Sequence, residues 1–409
     1  MLFCSSVLIF AVNPQILYLM KNLTLQRIAA IDVFRALTMF LMLFVNDIPG
    51  LKNIPHWLLH AEYNEDMLGF SDTIFPAFLF CMGMSISFAV QGRIKKGDNL
   101  FQVGMHIFWR TVALIVMGLF TVNYGSLDPI ATGITRDVYC ILMIIGFFLV
   151  WAVYPKTEDQ KKKYLFIGMK AVGIVLLVTL FLIFEGKDGV PFGPKWWGIL
   201  GLIGWTYVIC AIIYLFTRES LVRNAVVWTI FVVLMILNQA DIISLSFIPS
   251  DFTLHVFGFS GVLASLLMQK YADTKKPWKF ISILCALGAI MLIGALISHP
   301  YWIISKLQAT PTWFFYCMAA FFPLFGFFYW LTDVKQKQNW FDIIKPAGTA
   351  TLTCYVLPYI WYSVMSMFHI NYPAMLYSRV PGLLRSMVFS LLIVWITGLL
   401  VKGKIKLKI

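Results

Sequence analysis

The stretch NDIPGLKNIPHWLLHAEYNEDMLGFSDTIFP, residues 46–76, lies between two strongly apolar runs. It carries two histidines and five carboxylates, in a chain that is 60% hydrophobic and only 12% charged. That density of proton-transfer groups marks the loop and its flanking helix ends as the candidate reactive part of the molecule, with His60 at its centre. The plain alternative is a polar connection between two spans.

The flanking runs decide the fold. Mean hydropathy is +0.82, and apolar runs of about 20 residues recur along the chain, the length that crosses a bilayer as a helix. Backbone groups in lipid must be satisfied within the segment, so the spans are expected to be helical. The runs are too uniformly apolar for the alternating strands of an outer-membrane barrel. The expected fold is an all-α polytopic membrane bundle with about 10–12 transmembrane helices. Twelve candidate spans fall near 28–48, 68–90, 103–123, 138–154, 165–184, 197–217, 224–242, 253–269, 280–298, 312–332, 348–367 and 382–401. Residues 1–26 form an N-terminal segment, read as an extra start or a partial span, with Met20 as the favoured true start. Residues 27–409 form a single transmembrane domain. No internal repeat argues for an inverted-repeat transporter.

The net charge of +13 invites a nucleic-acid reading, but its distribution argues against one. Lys and Arg gather in alternate loops: about 22 on the side of a cytoplasmic N-terminus and about six on the other, the positive-inside pattern. Both termini are therefore expected in the cytoplasm and the His60 loop outside. The seven cysteines sit mostly in apolar runs without a CxxC, and are read as buried apolar residues with no metal or disulfide framework.

Polar groups inside spans are costly and are default functional candidates. Asp32 and Arg35, three apart, share a helix face and are expected to pair. Arg35 and Arg110 lie at similar depth toward the cytoplasm, where guanidinium groups suit phosphates; a purely structural ion pair is the competing reading. Asn238, Gln239, Asp241, Asp251 and His255 fall at the outer end, either lining a pocket with His60 or capping helices. His299 and His369 are read as interfacial, Lys170 and Arg385 as snorkelling cations. The aromatic residues are read mainly as lipid-facing bulk, with Trp313 in the interfacial belt.

Three segments carry a family resemblance. RIAAIDVFRALTMFLMLFVN (27–46), His60-Ala61 and SDTIFPAFLFCMGMSIS (71–87) resemble the heparan-α-glucosaminide N-acetyltransferase family and its bacterial relatives. Trp109-Arg110 and KPAGTATLTCY (345–355) extend the match. Ala36 stands where that family has glycine, the 46–60 loop is a few residues longer, and the family's L-G-x-x-Q-R stretch is barely visible at 137–146. The large extracytoplasmic N-terminal domain of the family's lysosomal enzyme is expected to be absent. The resemblance implies acetyl transfer from cytosolic acetyl-CoA to the amine of a glucosamine-type sugar across the membrane. It implies His60 as the catalytic histidine, Asn46 as an active-site asparagine and Asp72 as the carboxylate of the next helix. Arg35 and Arg110, with the Arg93–Lys96 cluster, would face the CoA phosphates. Histidine titrates in the right range for the amine proton, and the Asn46 amide suits a thioester oxygen. Acyl-histidine and direct transfer both remain open. The expected partners are an amino-sugar or glycan substrate and the lipid bilayer, with a homodimer as a candidate assembly and no nucleic acid. The expected setting is a bacterial inner membrane. The alternative function is an inner-membrane carrier for an N-acetylglucosamine-type sugar.

Overall fold

The computed structural model describes residues 28–194, 196–244 and 251–409; the readings of residues 1–26 and of Met20 fall outside them. Among the described residues, twelve principal helices match the twelve expected spans. They are α1 (Ala29–Asp47), α2 (Phe70–Lys95), α3 (Leu100–Tyr124), α4 (Arg136–Trp151), α5 (Gln160–Ile183), α6 (Gly198–Thr217), α7 (Leu221–Gln239), α8 (Phe252–Tyr271), α9 (Trp278–Ser298), α10 (Pro311–Tyr329), α11 (Thr351–Met367) and α12 (Arg379–Lys402). Ten are long and apolar enough to cross a membrane. The exceptions are α4 and α11, with 16 and 17 residues. At 1.5 Å per residue they reach only about 24–26 Å, short of the roughly 30 Å hydrocarbon layer. The protein is an all-α, multi-pass membrane bundle.

Successive helices alternate in direction, so the connections gather at two ends. Lys52 bridges to Ser378 and Leu127 to Gly186 at the His60 end, whereas Ala152 bridges to Leu407 at the opposite end. Helix α1 lies centrally, against α2, α10, α11, α12 and the short helix Lys345–Thr349. Its first turn is capped from a distance: the Asp333 carboxylate accepts from the Ala29 and Ala30 N–H groups at 3.1 and 2.8 Å. A carboxylate there satisfies orphan donors and complements the helix dipole.

Helix α2, which carries Asp72, is fixed by a backbone crossing with α8. A Cβ on Gly83 would lie 1.9 Å from the Gly258 carbonyl oxygen, so only glycine permits this approach, as in small-residue contacts between membrane helices. Around α1 and α2 the aromatic residues build core: Phe34 and Phe80 pack edge-on with Phe325, and Phe80 also against Phe322. This corrects the lipid-facing reading for a large share of the phenylalanines. Trp313 is likewise 1% exposed and belongs to the interior, not to an interfacial belt.

Candidate active site at the His60 end

The site begins with Pro76. It stands in the second turn of α2 and has no N–H, so the Asp72 carbonyl four residues back has no helical donor. The Trp313 indole N–H fills that place, donating to the Asp72 carbonyl oxygen at 3.1 Å. The Phe-Pro pair in the α2 motif thereby ties the first turn of α2 to α10. Helix α10 is set in turn by Thr310, whose hydroxyl caps the Trp313 N–H at 3.3 Å, with Pro311 at the first position.

The Asp72 side chain, only 3% exposed, grips the preceding loop twice. Oδ1 is 2.6 Å from His60 Nδ1, and Oδ2 accepts from the Ala61 N–H at 2.9 Å. The His-Ala pair is thus one unit, with ring and backbone held by a single carboxylate. With the proton on Nδ1 the ring donates to Asp72, which can only accept, and keeps Nε2, which has no partner among the described residues, as the basic lone pair. Gly69 makes the approach possible, since a Cβ there would lie 2.1 Å from the Leu59 carbonyl oxygen and 2.9 Å from Asp72 Oδ2.

A third residue, which sequence reasoning missed, completes the group. Lys306 Nζ lies 3.1 Å from His60 Nδ1 and 3.4 Å from Asp72 Oδ1, and with Nδ1 protonated it is the carboxylate that the ammonium pairs with. Burial pushes its amine below the ordinary lysine value, against the pull of Asp72. Its signal was its position, among the few cations of the cation-poor end. Its loop is clamped to the His60 loop by Asp66, which accepts from the Ile304 N–H at 2.8 Å and pairs with His299 Nε2 at 2.8 Å. The Ile304 N–H holds the Asp66 carboxyl below its usual range. His299 is therefore a structural partner, not an idle interfacial histidine. His56, by contrast, bonds only Glu65 among the described residues, on the surface.

The other predicted residues occupy two cavities strung along one face of α1. Ile31, Arg35, Met39, Met42 and Asn46 follow at steps of three or four residues, so they share a stripe. The first cavity, of about 620 Å³, is lined by Asp32, Arg35, Arg110 and Lys408 among apolar residues. Arg35 pairs with Asp32 at 2.7 Å as expected, and the Arg110 guanidinium lies 4.6 Å from the Tyr207 ring centre. The Nε atoms of both arginines are buried without a hydrogen-bond partner among the described residues. Arg93 turns away and pairs with Asp98 at 3.1 Å. The second cavity, of about 480 Å³, opens at Asn46 beside Tyr355, Tyr359 and Tyr362. The two share Ile199 and Tyr355. No hydrogen bond among the described residues joins Asn46 to the His60–Asp72–Lys306 group.

A family profile described as a domain of unknown function, DUF5009, matches residues 27–248, more than half of the chain. The chain belongs to the DUF5009 family. It is also 35% identical over 98 residues to human heparan-alpha-glucosaminide N-acetyltransferase, and 34% identical over 140 residues to the mouse protein of that name. Those matches cover 24% and 32% of this chain but only 14% and 20% of the relatives. The chain therefore matches a fifth or less of each relative's length.

Two outer-end expectations need correction in this DUF5009 protein. His255 is fully buried, with both ring nitrogens unpartnered among the described residues, between Phe231 and Phe252, so it neither faces an external pocket nor caps a helix. Arg385 does not snorkel, because its guanidinium donates to Asp47 Oδ2 at 2.8 Å, with side chains 11% and 8% exposed. Among the described residues, no three His, Cys, Asp or Glu side chains gather as a metal site would require.

Proposed function

We propose that residues 27–409 form one transmembrane acetyltransferase domain that moves an acetyl group from acetyl-CoA to the amine of a glucosamine-type sugar. The observation that carries this reading is the pair of cavities along one stripe of α1, with phosphate-type cations in one and Asn46 in the other. Buried arginine Nε donors without partners among the described residues are groups that a CoA phosphate would satisfy. The apolar stretch between Met39 and Met42 suits the donor's uncharged arm. At the other end the amine nitrogen attacks the thioester carbonyl, the C–N bond forms and the C–S bond breaks. His60 Nε2 takes the amine proton and returns it to the leaving thiolate, while Asp72 holds the ring and its tautomer. Asn46 supplies an amide donor for the carbonyl oxygen. Relatives named as transferases favour this reading over the sugar carrier.

The direct test incubates the purified protein in detergent with labelled acetyl-CoA and glucosamine, with N-acetylglucosamine as the expected product. A protein that consumes no acetyl-CoA under these conditions fails the proposal. Arg35→Gln and Arg110→Gln are each expected to weaken CoA binding about tenfold or more, the loss of one charge-assisted hydrogen bond. Calorimetric titration checks this, and unchanged affinity in both variants would leave Arg35–Asp32 as a packing pair only. The cation asymmetry further predicts that a Lys52→Cys variant reacts with an impermeant thiol reagent from outside intact cells. Reaction only after permeabilisation would invert the orientation proposed here, that of a bacterial inner membrane protein with cytoplasmic termini.

A further inference from the structure

A third cavity, of about 430 Å³, lies at the His60 end beside the Asn46 cavity, and Tyr362 lines both. Its walls are Trp361 and Tyr362 of α11, His369, Asn371, Tyr372 and Tyr377 of the following loop, and the Asp47–Arg385 pair. The volume falls in the roughly 300–1,000 Å³ range of small-molecule clefts. The Arg385 guanidinium lies 5.2 Å from the ring centres of both Tyr372 and Tyr377, so it fastens the two phenols to the wall through their π faces. Its charge is already matched by Asp47 at 2.8 Å. A pocket whose one strong cation is neutralised is poorly suited to an anion. What remains for a ligand is aromatic surface interleaved with phenol, imidazole and amide groups. A pyranose ring has the complementary chemistry: an apolar C–H face that packs on an aromatic ring, and equatorial hydroxyls that bond to polar tips. His369 makes no side-chain hydrogen bond among the described residues, so its imidazole is available to such a hydroxyl.

We propose that this cavity is a sugar subsite, holding the ring next to the acetylated one in an oligosaccharide acceptor. The proposal rests on the transferase reading, in that the neighbouring Asn46 cavity takes the ring that bears the amine. It makes the preferred substrate a glycan end, with free glucosamine a poorer one.

The test uses the full chain in detergent, with glucosamine and the β-1,4-linked glucosamine disaccharide as probes. The parent protein is expected to show a KM for the disaccharide about tenfold below that for glucosamine, the worth of one aromatic contact. Tyr372→Leu should raise the disaccharide KM by about the same factor, while the glucosamine KM moves less than about twofold. Asn371→Ala, on the loop surface, serves as the second variant and should shift the disaccharide KM in the same direction. Equal KM values for the two probes in the parent, or equal shifts in the variants, would overturn the subsite. Should neither probe be acetylated, the transferase reading falls, and quenching of tryptophan fluorescence decides the subsite alone. Saturable quenching by the disaccharide that Tyr372→Leu removes and His60→Ala retains supports it; no saturable quenching overturns it.

Discussion

His60→Ala is expected to abolish acetyl transfer while leaving CoA affinity within about twofold, because the imidazole moves a proton and does not anchor the nucleotide. Loss of a positioned general base costs about 10²–10⁴ in rate, and the same loss should appear in kcat and kcat/KM. His56→Ala is the internal control. His56 lies four residues earlier in the same loop, yet its one side-chain bond among the described residues is to Glu65 and its side chain is 58% exposed, so most activity should survive. Asp72→Asn separates orientation from chemistry: the amide can still meet the ring but cannot hold the Nδ1 proton in the same way, so the rate should fall while CoA still binds. The carrier alternative predicts the contrary pattern. Sugar flux in proteoliposomes that needs no CoA and persists in His60→Ala would sink the enzyme reading.

The spans were legible in the sequence because lipid imposes one rule, helical runs of sufficient apolar length, and all twelve runs are helices. What hydropathy could not give was which of them fall short, since α4 and α11 are apolar but end early. The Asp32–Arg35 pair was legible because both partners sit on one helix three residues apart. His60 and Asp72 were singled out by resemblance, each by itself; that they touch was not legible from spacing, because they stand 12 positions apart across a loop and no periodicity connects them. Lys306 was out of reach for a related reason. It joins His60 across 246 positions in the chain, through a loop clamp built from Asp66, His299 and Ile304. Single-sequence reasoning sees a cation or an indole near a helix end and assigns it to the interface, which is how Arg385 and Trp313 were misread. The departure at Ala36 does find an account in the packing. The Ala36 methyl faces Gly348, where a Cβ would come within 2.9 Å of it, so the methyl fits because its neighbour has none.

Arg385→Met is expected to lower stability by about 3–5 kcal/mol, the cost of leaving one member of a buried ion pair without its partner. The Asp47 carboxylate would keep the hydroxyls of Tyr362 and Ser386, which donate to Oδ1 and Oδ2, but lose its only cation among the described residues. Both side chains are close to fully buried, 11% and 8% exposed, so solvent screening relieves little of the penalty. The Tyr372 and Tyr377 rings would also lose the guanidinium that they flank, which loosens the 368–378 loop at the same time. The pair variant Asp47→Asn/Arg385→Met removes both charges and should recover most of the loss, because a buried ion pair contributes little net stability over neutral groups of similar size. Thermal unfolding of the two single variants and the double in the same detergent closes the cycle, with an interaction energy above about 2 kcal/mol expected. Additive losses would mean that Arg385 and Asp47 act independently, and would return Arg385 to the solvated interface where its sequence position first placed it.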